Sequence, residues 1–314
     1  MFNLIESTNL SELCDYSFGD QASIVHNLFC ASMKPANLNN NEFLKLYNNK
    51  KEKGVKIMTL FIDNIRLYKR DIKSVKSSDK PWVNSLMDES NLLKLCSVLS
   101  DMSFIIFTGH EDTPIDEYIF NKIPENVLSI VAVNAESFGG KVLPLPYGLQ
   151  RKLTPNDNRL EIIQDMLEYE VIPNKLLYVN HSVNTNPNER NGINELYIGK
   201  NWANVDTARV DYKTFLSKIK EHKFMICPIG NAIDCHRNWE VLYMRRVPVM
   251  KRNNYLEFLF KDFPVLFVDS YKEISDLLLL KNNHLFEESM NMNLECLDLD
   301  KIFKKLTNLE INHI

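Results

Sequence analysis

Glycine is scarce in this chain, nine of 314 residues, and neither GxGxxG nor GxxxxGK[ST] occurs. The glycine-rich cradles of dinucleotide-binding and P-loop proteins are therefore absent. The six cysteines, Cys14, Cys30, Cys96, Cys227, Cys235 and Cys296, are scattered and form no CxxC, which argues against zinc knuckles and thioredoxin-type pairs. Long apolar runs are also missing. The longest aliphatic cluster is four leucines at 277–280, far short of the roughly 20 residues that cross a bilayer. The amino-terminal residues carry Glu6 and Glu12 and no basic residue, whereas a secretory signal starts basic and turns apolar. These absences predict no membrane span and a cytoplasmic location, in host cytoplasm if the source is viral. No sign of charge dominates: the formal net charge is −4 and the pI about 6.0. That excludes a surface that grips a polyanion everywhere, though not a local basic groove.

What is present is an ordinary globular mixture, 45% hydrophobic and 25% charged, with length enough for about two domains. Short, continuously apolar runs lie at 57–62, 104–107, 127–133, 176–179, 224–227, 247–250 and 265–268. Such runs predict parallel strands buried on both faces. Helical spacing appears between them, at 83–99, 160–169, 212–219, 236–244 and 274–280. Alternation of the two predicts a doubly wound α/β architecture. The proline-bearing LPLPYG at 143–148, followed by Pro155 and Pro173, suits a crossover between two lobes. The expected division is a first lobe over 1–150, a second over 151–290, and a tail helix over 291–314 that packs back on the first.

Charge is uneven inside the first lobe. Residues 45–80 hold eleven Lys or Arg against four acids, a local charge of +7. A solvated helix surface explains this, and so does a patch for a polyanionic acceptor.

The densest chemistry lies at 224–250, FMICPIGNAIDCHRNWEVLYMRRVPVM. The apolar 224–227 reads as a strand. Pro228, Ile229, Gly230 and Asn231 break it into a tight loop. Asp234 or Cys235 then opens a helix, Asp being a good cap. A loop entering a helix start offers backbone N–H groups and a positive dipole to an anion such as a diphosphate. His236 and Arg237 stand in the first turn, where the dipole disfavours cations and a bound phosphate would favour them. Glu240 lies one turn beyond His236, on the same side, as an acceptor for ribose hydroxyls. The plain alternative is a strand–loop–helix–strand unit with no ligand.

The pattern C-P-x-G-N-x-x-D-x-H-R-x-W-E-x-L-x-x-x-x-x-P-V, spanning 227–249, resembles the nucleotide-sugar motif of exostosin-like glycosyltransferases of the bacterial and viral type. FTGHEDTPI at 107–115 and the stretch ending in LPLPYG look like the acceptor-lobe motifs of that family. KLLYVNHSVNTNPNER at 175–190 resembles the first strand and loop of its donor lobe. One departure is Met244-Arg245-Arg246, where the family usually has a small residue such as Gly. The resemblance implies a GT-B fold, two Rossmann-like lobes facing each other across a cleft. It implies transfer of a sugar from a nucleotide-diphosphate sugar to an acceptor hydroxyl, by an inverting route.

On this likeness Gly230 and Asn231 would line the diphosphate loop, with Asp234 at its end. Arg237 would neutralise the leaving group, Glu240 would hold the ribose, and His236 would touch phosphate or sugar. Asn180, Ser182, Asn186 and Arg190 would face them from the other loop, Arg190 sharing the leaving-group charge. Candidate general bases are Asp112, then His110, then Asp20. The bland alternatives are a helix cap near Ile115 for Asp112 and an interface histidine for His110. The one literal DxD, Asp298 and Asp300, sits in a polar tail, so no metal cofactor is expected. The acceptor would be a glycan or other saccharide, with hydroxylated bases of DNA as the alternative suggested by the +7 segment. A non-catalytic nucleotide- or glycan-binding module is the reading from another class.

Overall fold

A computed structural model describes residues 14–17, 41–62, 92–109, 112, 114–149, 158–168 and 170–294. It is an α/β protein with two five-stranded sheets, each entirely parallel. The first sheet contains β1 (Tyr16–Ser17), β2 (Ile57–Ile62), β3 (Ser103–Thr108), β4 (Val127–Ala132) and β5 (Val142–Pro144), side by side in chain order. Helices α1 (Asn41–Glu52), α2 (Leu92–Val98) and α3 (Glu117–Phe120) accompany it. Part of the helix expected over 83–99 lies outside the described residues, as does the tail from 295 onward. No helix among the described residues is long and apolar enough to cross a membrane.

The second sheet contains β6 (Lys175–Val179), β7 (Ala203–Val205), β8 (His222–Ile226), β9 (Val247–Lys251) and β10 (Leu266–Val268). Its order is β10-β9-β8-β6-β7, so the chain builds outward to one side of β6 and then reverses to the other. Around it lie α4 (Arg159–Leu167), α5 (Pro187–Arg190), α6 (Tyr212–Glu221), α7 (His236–Tyr243), α8 (Asn254–Leu259), α9 (Asp276–Lys281) and α10 (Asn283–Asn291).

Alternation along the strands separates the faces of the second sheet. Tyr178, Met225 and Met250 belong to a large apolar cluster that also contains Trp239, Leu242, Tyr255 and Leu256, and that continues into Phe61, Phe104 and Ile130 of the first sheet. Leu177, Val179, Phe224 and Val249 pack on the other face with Ile193, Tyr197 and Leu279. Helix α6 shows how one element joins this arrangement. Asp211 caps it by accepting the Thr214 N–H at 3.0 Å, and Phe215, Leu216 and Ile219 form its buried face.

The departure at 244–246 has a local cause. Arg245 follows the end of α7 in the left-handed region, with φ 55°, where glycine is the usual helix terminator. Its guanidinium donates to the Met290 and Met292 carbonyls at 2.7 and 2.8 Å, holding α10 in place. Hydrogen bonds that glycine could not make thus offset the backbone strain.

Candidate functional site

In a doubly wound sheet, ligands bind beyond the carboxyl ends of the strands where the order reverses. Here that point lies between β6 and β8, which are hydrogen-bonded neighbours. Two segments leave it: 180–190, ending in α5, and 227–235, leading into α7.

The turn at Pro228 is filled by the chain's own groups. Arg190, 6% exposed, donates from Nε to the Ile229 carbonyl at 2.9 Å, from one terminal nitrogen to Ser182 at 2.9 Å, and from the other to Pro228 at 3.1 Å. Asn186 Nδ2 donates to the Gly230 carbonyl at 2.8 Å. The Gly230 N–H points to the Ala232 carbonyl and to Cys235 Sγ, at 3.2 and 3.1 Å. A Cβ at Gly230 would lie 3.0 Å from Cys235 Sγ and 3.1 Å from the Arg190 guanidinium, so close packing accounts for this glycine. Gly230 and Arg190 therefore shape the turn: the Gly230 N–H and three of the five Arg190 N–H donors face protein carbonyls and sulfur. Asn231 is exposed.

Asp234 is likewise a joint between the two sheets. It is fully buried. Its carboxylate accepts from the Tyr147 N–H at 2.8 Å, Trp239 Nε1 at 2.8 Å and Asn238 Nδ2 at 2.9 Å. Its own N–H donates to Asn134 Oδ1 at 3.2 Å. Asn134, just past β4, takes φ 51°, a conformation asparagine tolerates, and its N–H donates to the Tyr255 hydroxyl at 3.0 Å. Burial pushes the Asp234 carboxyl up to about 6, against the pull of its N–H donors. The helix cap is Cys235, without a side-chain capping bond, so Asp234 serves neither as cap nor as an open anion contact.

His236 reaches the same seam. Its Nδ1 lies 2.8 Å from the Gly148 carbonyl, and because a carbonyl only accepts, Nδ1 carries the proton. Its ring packs 4.6 Å from that of Tyr147, and the Tyr147 hydroxyl donates to Asp112 Oδ1 at 3.2 Å. Asp112, the first-choice base, is thus one side chain away from the start of α7. The cap of α3 is Asp116, which accepts the Ile119 N–H at 3.2 Å, so the capping alternative for Asp112 is corrected. His110 and Asp20 lie outside the described residues.

Arg237 and Glu240 share the inner side of α7. The Arg237 guanidinium sits 5.5 Å from the Phe215 ring centroid, a cation–π contact that holds it despite the helix dipole. Its buried Nε has no hydrogen-bond partner. Glu240, 6% exposed, accepts from the Tyr212 hydroxyl at 2.9 Å. Burial raises its carboxyl above the ordinary range, opposed by Arg237, Tyr212 and Arg159. Arg159 lies over the Tyr212 ring at 5.4 Å, so two guanidinium groups and one carboxylate converge here.

No known protein-family model matches the chain, and no curated protein aligns with it at a significant level.

The facing loop contributes differently from expectation. Asn180 Nδ2 is tied to the Asp206 and Ala208 carbonyls at 3.1 and 3.3 Å. Ser182 is exposed and makes no side-chain cap. His181, between them, went unremarked in the sequence. It is 5% exposed and neither ring nitrogen has a hydrogen-bond partner. Burial first, then the charges of Arg237 and Arg190, pull its pKa down to about 4. Tyr212 and Arg159 were also missed, because they come from other helices and only folding brings them to Glu240. Among the described residues no group of three His, Cys, Asp or Glu is placed to hold a metal ion.

The described part of the basic segment is partly neutralised. Lys50 pairs with Asp15 at 2.6 Å and Lys51 with Asp101 at 2.5 Å. Residues 63–80 lie outside the described residues.

Proposed function

We propose that the protein is a glycosyltransferase of GT-B type that moves a sugar from a nucleotide-diphosphate sugar to the hydroxyl of a saccharide acceptor. The supporting observation is the pair Arg237 and Glu240 on the helix that opens at the strand-order reversal, one with an unpartnered buried Nε and the other a buried carboxylate. Arg237 neutralises the departing diphosphate, aided by the α7 dipole. Glu240 retains lone pairs beyond the one facing Tyr212, and accepts the ribose hydroxyls through them. The acceptor oxygen attacks the anomeric carbon as the bond to the diphosphate breaks, and a base removes the hydroxyl proton. Asp112 takes that proton, reached through the Tyr147 seam from the first sheet. Arg190 and Asp234 act as positioning residues, fixing the turn and the joint that set the angle of α7.

Mass-spectrometric turnover of a panel of nucleotide sugars tests this reading. The wild-type protein is expected to consume one donor. Arg237→Ala and Glu240→Gln are each expected to lower turnover about 100-fold, the latter keeping an acceptor for Tyr212. Unchanged turnover in both variants overturns the site. No turnover of any donor by the wild-type protein favours a non-catalytic binding module.

A further inference from the structure

The second sheet carries another concave feature, on the opposite face from α7. A cavity of about 360 Å³ opens at the carboxyl edge of that sheet, between α5, the segment 191–196, Lys251 at the end of β9, and the residues that follow β10. Its lining is mixed: Ile193, Leu196 and Tyr271 supply the apolar part, Ile193 and Tyr271 largely buried, and Asn188, Asn191 and Ser270 are polar. Ile193 and Tyr271 belong to the cluster on the face away from the first sheet. Its rim is charged, with Lys251, Lys272 and Glu189.

Two ammonium groups face one carboxylate. Lys251 Nζ lies 3.3 Å from Glu189 Oε2, while Lys272 has no ion-pair partner among the described residues. The wall between them is fixed before any ligand arrives. The Tyr271 hydroxyl donates to the Cys227 carbonyl and accepts the Lys251 N–H, both at 3.3 Å. The Tyr197 hydroxyl donates to the Tyr271 carbonyl. The volume lies at the small end of the range of small-molecule pockets, and the largely polar lining suits a polar, charged ligand rather than an apolar one. Concavity also focuses the field of the lysines.

We infer that this cavity is a second ligand site, for a compact polar organic anion: a body of about one ring, seated among Asn188, Asn191, Leu196 and Ser270, that carries a phosphate or carboxylate to Lys251 and Lys272. The site uses none of the groups assigned to the donor, so it stands or falls apart from the glycosyltransferase reading.

Isothermal titration of the full chain tests it with ribose 5-phosphate and benzoate as phosphate and carboxylate probes, and ribose as the neutral control. One or both anions are expected to bind and ribose is not, which identifies the anion type. Lys251→Met and Lys272→Met are each expected to weaken binding about fivefold. Glu189→Gln is expected to tighten it by a similar factor, which a merely structural role would not produce. Arg237→Ala is expected to leave it unchanged. The inference is overturned if neither anion binds at millimolar concentration, if ribose binds equally well, or if the lysine variants bind like the wild type.

Discussion

Among the described residues, the polar side chains buried with the first sheet, Thr108, Ser129 and Asn134, are all uncharged, whereas those buried with the second include Arg190, Lys220, Asp234, Glu240 and Arg246. Taking a charge out of water costs several kcal/mol unless partners replace the solvent. The second sheet provides those partners. Arg246 Nη2 donates to the Lys220 and Val171 carbonyls at 2.5 and 2.7 Å, and Lys220 Nζ to Met166 at 2.5 Å. Strand order differs in the same sense: the described strands of the first sheet follow one another without reversal, and the second reverses at β6 and β8. The costly side chains thus divide into two sets. One ties the chain together; the other, Arg237 with Glu240, sits where such sheets bind ligands.

The sharpest way to break that contrast is at the joint. Asp234→Ala leaves the Tyr147 N–H, Trp239 Nε1 and Asn238 Nδ2 without their acceptor. We expect a loss of about 3–5 kcal/mol in urea denaturation; a loss below 1 kcal/mol would remove Asp234 as the tie between sheets.

Acidification probes the same buried groups without mutation. Burial holds His181 and His222 near 4, below the ordinary 6.5. Each contributes stability that is full above pH 6.5 and is lost as pH falls toward 4. Asp234 has the opposite sign: its folded value of about 6 exceeds 3.8, so its contribution is full below pH 4 and declines as pH rises to 6. By linkage each imidazole costs about 3 kcal/mol of stability between pH 6.5 and 4, opposed by Asp234 and by Glu240, whose carboxyl is also raised by burial. Proton NMR of the two imidazoles is expected to show both neutral at pH 6 and titrating near 4; titration of either near 6.5 would contradict the neutral, buried imidazoles.

The first sheet should respond weakly and with opposite sign. The Ser129 hydroxyl is buried without a hydrogen-bond partner, so Ser129→Ala is expected to stabilise by about 1 kcal/mol. A loss of similar size would show that this hydroxyl is satisfied after all.

Legibility in the sequence followed burial. The apolar runs at 57–62 and 247–250 became β2 and β9 because strands covered on both faces need no polar alternation. The strands that escaped notice, β1, β5 and β7, are sheet edges of two or three residues. None of the three has more than one buried residue, whereas β10, an edge of similar length, has two and was visible as an apolar run. Val142–Pro144 was hidden inside the proline-rich segment read as a crossover, and Pro144 is tolerated at an edge.

At the site, spacing placed His236, Arg237 and Glu240 at the start of a helix, with Glu240 on the side of His236; in the structure His236 turns to Gly148 and Tyr147, and Arg237 is the group that acts on Glu240. Spacing could not separate the roles of Arg237 and Glu240 from those of Arg190, Asp234 and His236. Those three are occupied by groups 8 to 88 residues away in sequence, contacts that only the tertiary fold creates.

The most direct test is the thermal midpoint of the wild-type protein and of Arg237→Ala across a panel of nucleoside diphosphates, since a ligand of the native state raises the midpoint by mass action. One diphosphate is expected to raise the wild-type midpoint and to leave that of the variant where it stands unliganded. A shift that persists undiminished in Arg237→Ala, or a wild-type protein indifferent to every diphosphate, would contradict a donor site at the β6–β8 reversal.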